Sequence, residues 1–267
     1  MGLGLWGGRS ASRRTRGRSG WRIRWDLSQR RKGEENYDNE RFHGVQIECY
    51  HAVEVQPLRL DVSLWSADLA NLEAEIRRLE PYADSFHFDA ADGHFVPALL
   101  FFPDLLARLR ELTAKEFHVH LMATRPLDLV AAFVDAGADR VTLPLEVGKR
   151  ARHALETLAE RGRRAGISLD LETPVEAVRE CLPLIDTLLV MGTEVGVKGK
   201  GVDPRVYERL TAAKRLAGER VCVAADGGIR RETVARLREA GADAIVPGSL
   251  VCQAEDLPGT VAWLKSL

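Results

Sequence analysis

The chain has 267 residues, of which 45% are hydrophobic and 29% charged, with a formal net charge of -1. This is enough apolar material for one large core or two small ones, while the near-neutral balance supplies no global field to attract nucleic acid or an acidic membrane surface. No apolar run approaches the roughly 18 residues of a membrane span, and the scattered Cys49, Cys181, Cys222 and Cys252 lack zinc-knuckle or disulfide-framework spacing, reading as reduced thiols of a cytoplasmic protein.

Between Met1 and Lys32, Arg9, Arg13, Arg14, Arg16, Arg18, Arg22, Arg24, Arg30 and Arg31 stand against a single acid, Asp26. Such a segment repels itself and buries too little apolar surface to offset its ordering entropy, so residues 1–56 are expected to form a disordered basic extension. Its composition fits a transit-peptide-like leader, a membrane-surface or nucleic-acid tail in which Trp6, Trp21 and Trp25 stack on bases, or sequence translated from upstream of the true start. The last is the preferred reading, and nucleic acid is not the expected partner.

From Leu58 onward short apolar runs alternate with longer amphipathic segments. Candidate strands are 58–63, 85–89, 116–121, 140–143, 166–169, 187–190, 220–225 and 244–246. In the helical segment 68–76, Leu69, Leu72 and Ile76 share one face. Ser66 and Asp203 suit N-caps, and Pro126, Pro174 and Pro204 suit first turns. The tetrapeptide Ala-Gly-Ala-Asp occurs at 136–139 and again at 240–243, where Gly137 and Gly241 would each close a helix in the left-handed conformation just before a strand. Such βα repetition predicts one α/β domain over 57–267, a single (β/α)8 TIM barrel. An open doubly wound sheet would carry a G-x-G-x-x-G after its first strand, where Leu64-Trp65-Ser66-Ala67-Asp68 stands instead.

Barrel chemistry sits at the carboxyl ends of strands. There the sequence has Ser63, His87-Phe88-Asp89, His118-Val119-His120 and Asp226-Gly227-Gly228. Residues two apart on a strand face the same way, so His87 and Asp89 point together while Phe88 turns outward. His120 and Asp226 can reach the same point from other strands. Two imidazoles and two carboxylates suit one divalent metal ion, whether zinc, iron, manganese or cobalt. Met122 and Met191 would floor the pocket, and backbone amides at Gly227-Gly228 and Gly248-Ser249 are expected to hold a phosphate.

The segments Ser63 to Asp68, His87 to Pro97 (HFDAADGHFVP), Val119 to Met122 and Ala225 to Gly228 together resemble the motifs of the ribulose-phosphate 3-epimerase family, over nearly all of 58–267. The resemblance implies a phosphorylated ketose substrate, D-ribulose 5-phosphate converted to D-xylulose 5-phosphate in the pentose phosphate pathway. It implies inversion at carbon 3 by Asp89 and Asp226 acting from opposite faces through a metal-bound enediolate. Ser63 would orient the bases or the substrate.

The pattern departs from the family in three places. Val195-Gly196-Val197-Lys198-Gly199 replaces a Pro-Gly-Phe-Gly-Gly stretch after the sixth strand, keeping Gly196 and Gly199 as substrate-binding candidates and adding Lys198 and Lys200, which read equally as phosphate ligands or solvated charges. Ala91 stands for a Met, and Ala98 for an Asn. These smaller walls leave another ketose phosphate, such as allulose 6-phosphate, as the alternative substrate. A related barrel decarboxylase would require Asp-x-Lys-x-x-Asp where Asp89-Ala90-Ala91-Asp92 stands. A non-catalytic barrel with a nucleic-acid-binding tail is the remaining alternative, and a homo-oligomer is left open.

Overall fold

The computed structural model describes residues 56–267; the expectation for the basic extension falls on residues 1–55, outside them. Eight parallel strands close into a barrel in sequential order: β1 (Arg59–Ser63), β2 (Ser85–Ala91), β3 (Glu116–Met122), β4 (Arg140–Pro144), β5 (Arg164–Leu169), β6 (Thr187–Met191), β7 (Cys222–Asp226) and β8 (Ala244–Val246). The helices are α1 (Leu72–Leu79), α2 (Pro103–Arg110), α3 (Leu127–Asp135), α4 (Lys149–Glu160), α5 (Val206–Ala217), α6 (Arg231–Glu239), the single turn α7 (Ser249–Cys252) and α8 (Leu257–Lys265). The fold is a (β/α)8 TIM barrel. Among the described residues no helix is long and apolar enough to cross a membrane.

Strands enclosed on both faces carry side chains buried on both. All seven residues of β2 are buried, with Phe86 and Phe88 in the outer layer. Phe88 packs against Phe101, Phe117 and Phe133 at ring-centroid distances of 4.6, 6.4 and 6.3 Å, which seats β2 against its helical shell. The alternate residues Ser85, His87 and Asp89 face the barrel interior. Register then levels His87 with His118 and Asp89 with His120, so the polar ends of β2 and β3 share one height.

The two Ala-Gly-Ala-Asp repeats act as helix stops. Gly137 and Gly241 take φ of +104° and +109°, a region other residues rarely enter, and the chain turns at once into β4 and β8.

Several local expectations are corrected. The segment 68–76 does not begin as a helix: the Asp68 carboxylate accepts hydrogen bonds from Ala70 N (3.0 Å) and Asn71 Nδ2 (2.7 Å), a local turn that competes with the helix. The helix starts at Leu72, and Leu69 is exposed while Leu72, Ile76 and Leu79 are buried. Ser66 lies in the 3-10 turn Leu64–Ser66 rather than capping α1. The N-cap of α5 is Arg205. Asp203 forms the turn before it, its carboxylate accepting from Arg205 N at 2.9 Å. Pro174 leads into the 3-10 turn Val175–Val178, and a second such turn follows at Leu182–Leu184. Pro183, which has no backbone N–H to donate, lies inside the second turn, and no α-helix is present between β5 and β6.

Candidate active site

At the carboxyl ends of β2, β3 and β7, one donor atom each from His87, Asp89, His120 and Asp226 lies within 4.8 Å of the other three. His87 Nε2 is 3.2 Å from Asp89 Oδ1 and 3.9 Å from Asp226 Oδ2, and His120 Nδ1 is 3.8 Å from each of these oxygens. A tetrahedral ion with bonds of about 2.0–2.1 Å has ligand-to-ligand edges of about 3.3 Å, so small inward adjustments would seat one divalent ion. His87 Nε2 and His120 Nδ1 are buried and make no hydrogen bond among the described residues. Orphaned buried ring nitrogens are costly, and a metal would satisfy both. The donor set fits.

Two further hydroxyls hold this arrangement. Ser63 donates through Oγ to Asp89 Oδ2 at 2.9 Å, leaving Oδ1 toward the imidazoles. His120 Nε2 lies 3.1 Å from Ser168 Oγ on β5; with Nε2–H donating there, the Nδ1 lone pair faces Asp89 and Asp226. Ser168 escaped the sequence reading because it is a lone polar residue in the apolar run Ala165 to Leu169, 48 positions from its partner.

The four side chains polarise one another. Burial favours a neutral His87, but the charge of Asp89, with Asp226 adding to it, prevails and pushes the ring up to about 9. The two carboxyls are driven apart. For Asp89 the penalty of burial is overridden by the charge of His87 and by its contacts with both imidazoles, which hold it well below the usual carboxylate range. For Asp226, burial and the neighbouring Asp89 charge outweigh the imidazoles and raise it. A pair split this way offers one base and one acid.

Below this cluster, deeper in the barrel, is a buried polar layer. His118 Nδ1 lies 3.0 Å from Asp61 Oδ2 and its Nε2 2.7 Å from Thr142 Oγ1. Burial and the Arg140 charge hold His118 down to about 3, a neutral ring. Asp61 also accepts from Ser85 Oγ, and Arg140, 2% exposed, is bound by Glu116 and Thr187. His118 was visible as a strand-end residue, whereas the burial of Arg140 beside Asp139 was not.

Above the four residues the mouth opens into a cavity of about 480 Å³, a size suited to a small metabolite. Met122 and Met191 line it and pack in one buried apolar cluster with Ala91 and Val96. Gly196, Gly199, Gly227, Gly228, Gly248 and Ser249 all border the same cavity. Gly228 has φ of +69°, and a Cβ there would come within 2.8 Å of the Val202 backbone, so only glycine fits this close approach. Arg230, which the sequence reading did not single out, also lines the cavity and donates through Nη1 to Ser249 Oγ at 2.9 Å.

Residues 59–252 match the family model described as the Ribulose-phosphate 3 epimerase family. The chain belongs to this family. It is 40% identical to the ribulose-phosphate 3-epimerase of Treponema pallidum (strain Nichols) over 191 residues, covering 70% of this chain and 88% of that one. It is 32% identical to the Bacillus subtilis (strain 168) enzyme of the same name over 213 residues, covering 78% and 98%. Among solved structures, a 3-hexulose-6-phosphate synthase superposes with a TM-score of 0.60 at 16% identity, over 79% of this chain and 99% of that one, a likeness of fold.

In this member of the ribulose-phosphate 3-epimerase family the loop after β6 is anchored on both sides. A Cβ on Gly196 would lie 2.6 Å from Val96 Cβ, so the loop rests on the β2–α2 segment. That segment is itself fixed by Asp92, whose carboxylate accepts from His94 N, Phe95 N and Thr124 N at 2.8 Å each. On the other side Lys198 donates to the Trp65 carbonyl and sits 4.3 Å from the centre of the Trp65 ring, a cation–π contact. Lys200 instead pairs with Glu194 at 3.2 Å, both exposed.

Proposed function

We propose that this chain inverts carbon 3 of D-ribulose 5-phosphate to give D-xylulose 5-phosphate, with Asp89 and Asp226 as the proton-transfer pair. The observation that carries this reading is the cluster of His87, Asp89, His120 and Asp226, whose donor atoms lie within 4.8 Å of one another, with Asp89, His120 and Asp226 lining the base of the cavity.

The proton beside a ketose carbonyl is acidic because its removal gives an enediolate. Asp89, held ionised and oriented by Ser63, takes that proton from one face of the sugar. Asp226, its proton retained by burial and by the facing carboxylate, returns one from the other face. The reverse reaction exchanges the two roles. A divalent ion held by the four side chains, of the class zinc, iron, manganese or cobalt, would supply Lewis-acid stabilisation of the charge that develops on the sugar oxygens. Met122 and Met191 exclude water from below, and Ser168 keeps His120 in the tautomer that binds metal. Gly196, Gly199, Gly227, Gly228, Gly248 and Ser249 surround the place for the sugar and its phosphate.

Family membership supports ribulose 5-phosphate; Ala91 and Ala98 pack in the apolar cluster of Met122 and Met191, behind the side chains that line the cavity, and a larger ketose phosphate is tested alongside it. The test is a coupled assay of metal-loaded protein with ribulose 5-phosphate and with allulose 6-phosphate. Turnover of ribulose 5-phosphate that stops on chelation is the expected result. Absence of turnover on both sugars would overturn the reading.

A further inference from the structure

Besides the metal-facing imidazole, three cationic side chains border the cavity: Lys198, Lys200 and Arg230. Two are already committed, Lys198 to the carbonyl and ring of Trp65 and Lys200 to Glu194. Arg230 uses only Nη1, which donates to Ser249 Oγ at 2.9 Å, and its Nε and Nη2 donors have no acceptor among the described residues. A partly buried guanidinium with a free fork and no carboxylate partner is a ready site for an anion. Its position is also telling. Arg230 leaves β7 two residues after Gly228, and through Ser249 it joins that turn to the Gly248-Ser249 turn after β8. Ser249 Oγ, accepting from Arg230, still has its own proton to donate.

We propose that Arg230 is the charged side-chain ligand of the substrate phosphoryl group in this chain, and that it makes the site select ketose phosphates over free ketoses. This rests on the ketose-phosphate reading above. Nη1 stays on Ser249 Oγ as a brace while the free donors and the Ser249 hydroxyl converge on phosphoryl oxygens. Backbone amides of the glycine turns add direction but no net charge, whereas the guanidinium prefers the dianion. The planar fork matters as well as the charge, so lysine is an imperfect substitute.

The test pairs kinetics with a binding measurement that needs no turnover. R230Q is expected to raise KM for ribulose 5-phosphate by about 10- to 100-fold while kcat falls by less than about threefold, with R230K intermediate. Calorimetric titration of inorganic phosphate into the metal-loaded full chain should weaken by a similar factor in R230Q. The thermal midpoint should stay within a few degrees, and if R230Q does not fold, R230K carries the test. KM and phosphate affinity both within twofold of wild type in the variant would overturn the assignment. Phosphate binding that R230Q weakens, in a wild-type chain that turns over no ketose phosphate, would overturn the epimerase reading and the selection of ketose phosphates, while supporting Arg230 as a phosphoryl ligand.

Discussion

Replacing Ser168 with alanine removes one hydroxyl from a wall of the barrel and touches neither carboxylate. Ser168 is 2% exposed and its Oγ lies 3.1 Å from His120 Nε2. Without it, Nε2–H loses its buried acceptor, and the ring can move its proton to Nδ1, the atom that faces Asp89 and Asp226. Metal binding must then restore the less favourable tautomer and leave Nε2–H unsatisfied. The loss of one buried hydrogen bond to a metal-ligating imidazole is worth about 1.4–2.7 kcal/mol, or about 10- to 100-fold in metal affinity. Competition of the apo-protein with a chromogenic chelator for zinc or cobalt reads this directly. Excess metal should restore most of the activity, which separates weakened loading from misfolding. Metal affinity of S168A within twofold of wild type would refute the reasoning, because the tautomer would then owe nothing to Ser168.

Other parts of the structure make their own predictions. Gly196 has φ of +73° and faces Val96, so G196A should cost about 1–3 kcal/mol of stability by urea unfolding and raise KM as the β6 loop lifts. Unchanged stability and KM would show that this loop contact is dispensable. His118 is held down to about 3, below its ordinary value of about 6.5. The unfolded chain therefore binds one more proton between these values, and stability from this group is present above pH 6.5 and lost as pH falls toward 3. Relative to H118N, wild-type unfolding free energy should drop by about 1.4 kcal/mol per pH unit below about pH 6. Parallel profiles would contradict the neutral buried ring.

Much of the barrel was legible because its signals are periodic. Alternation in β2 separates Phe86 and Phe88 from His87 and Asp89, and the repeated Ala-Gly-Ala-Asp marks two helix ends whose glycines take positive φ. The four clustered side chains were visible for the same reason, each standing at or near the end of a strand. What the sequence hid depends on single contacts between distant segments. Ser168 matters through His120, Arg230 through Ser249, and Arg140 through Glu116 and Thr187. Leu69 was misread because a local carboxylate turn at Asp68 outcompeted a helical pattern, and where a helix was expected after Pro174 there are two 3-10 turns, the second containing Pro183. Lys198 and Lys200 looked equivalent in sequence, and only the position of Trp65 separates them.

The most direct measurement of the central claim follows hydrogen at carbon 3 when metal-loaded protein converts ribulose 5-phosphate in deuterium oxide. Two carboxyls acting from opposite faces predict xylulose 5-phosphate carrying solvent deuterium at carbon 3, with product formation reduced by about 10²- to 10⁴-fold in both D89N and D226N. Product that retains the substrate's own hydrogen at carbon 3, or either variant working within tenfold of wild type, would contradict the two-carboxylate account.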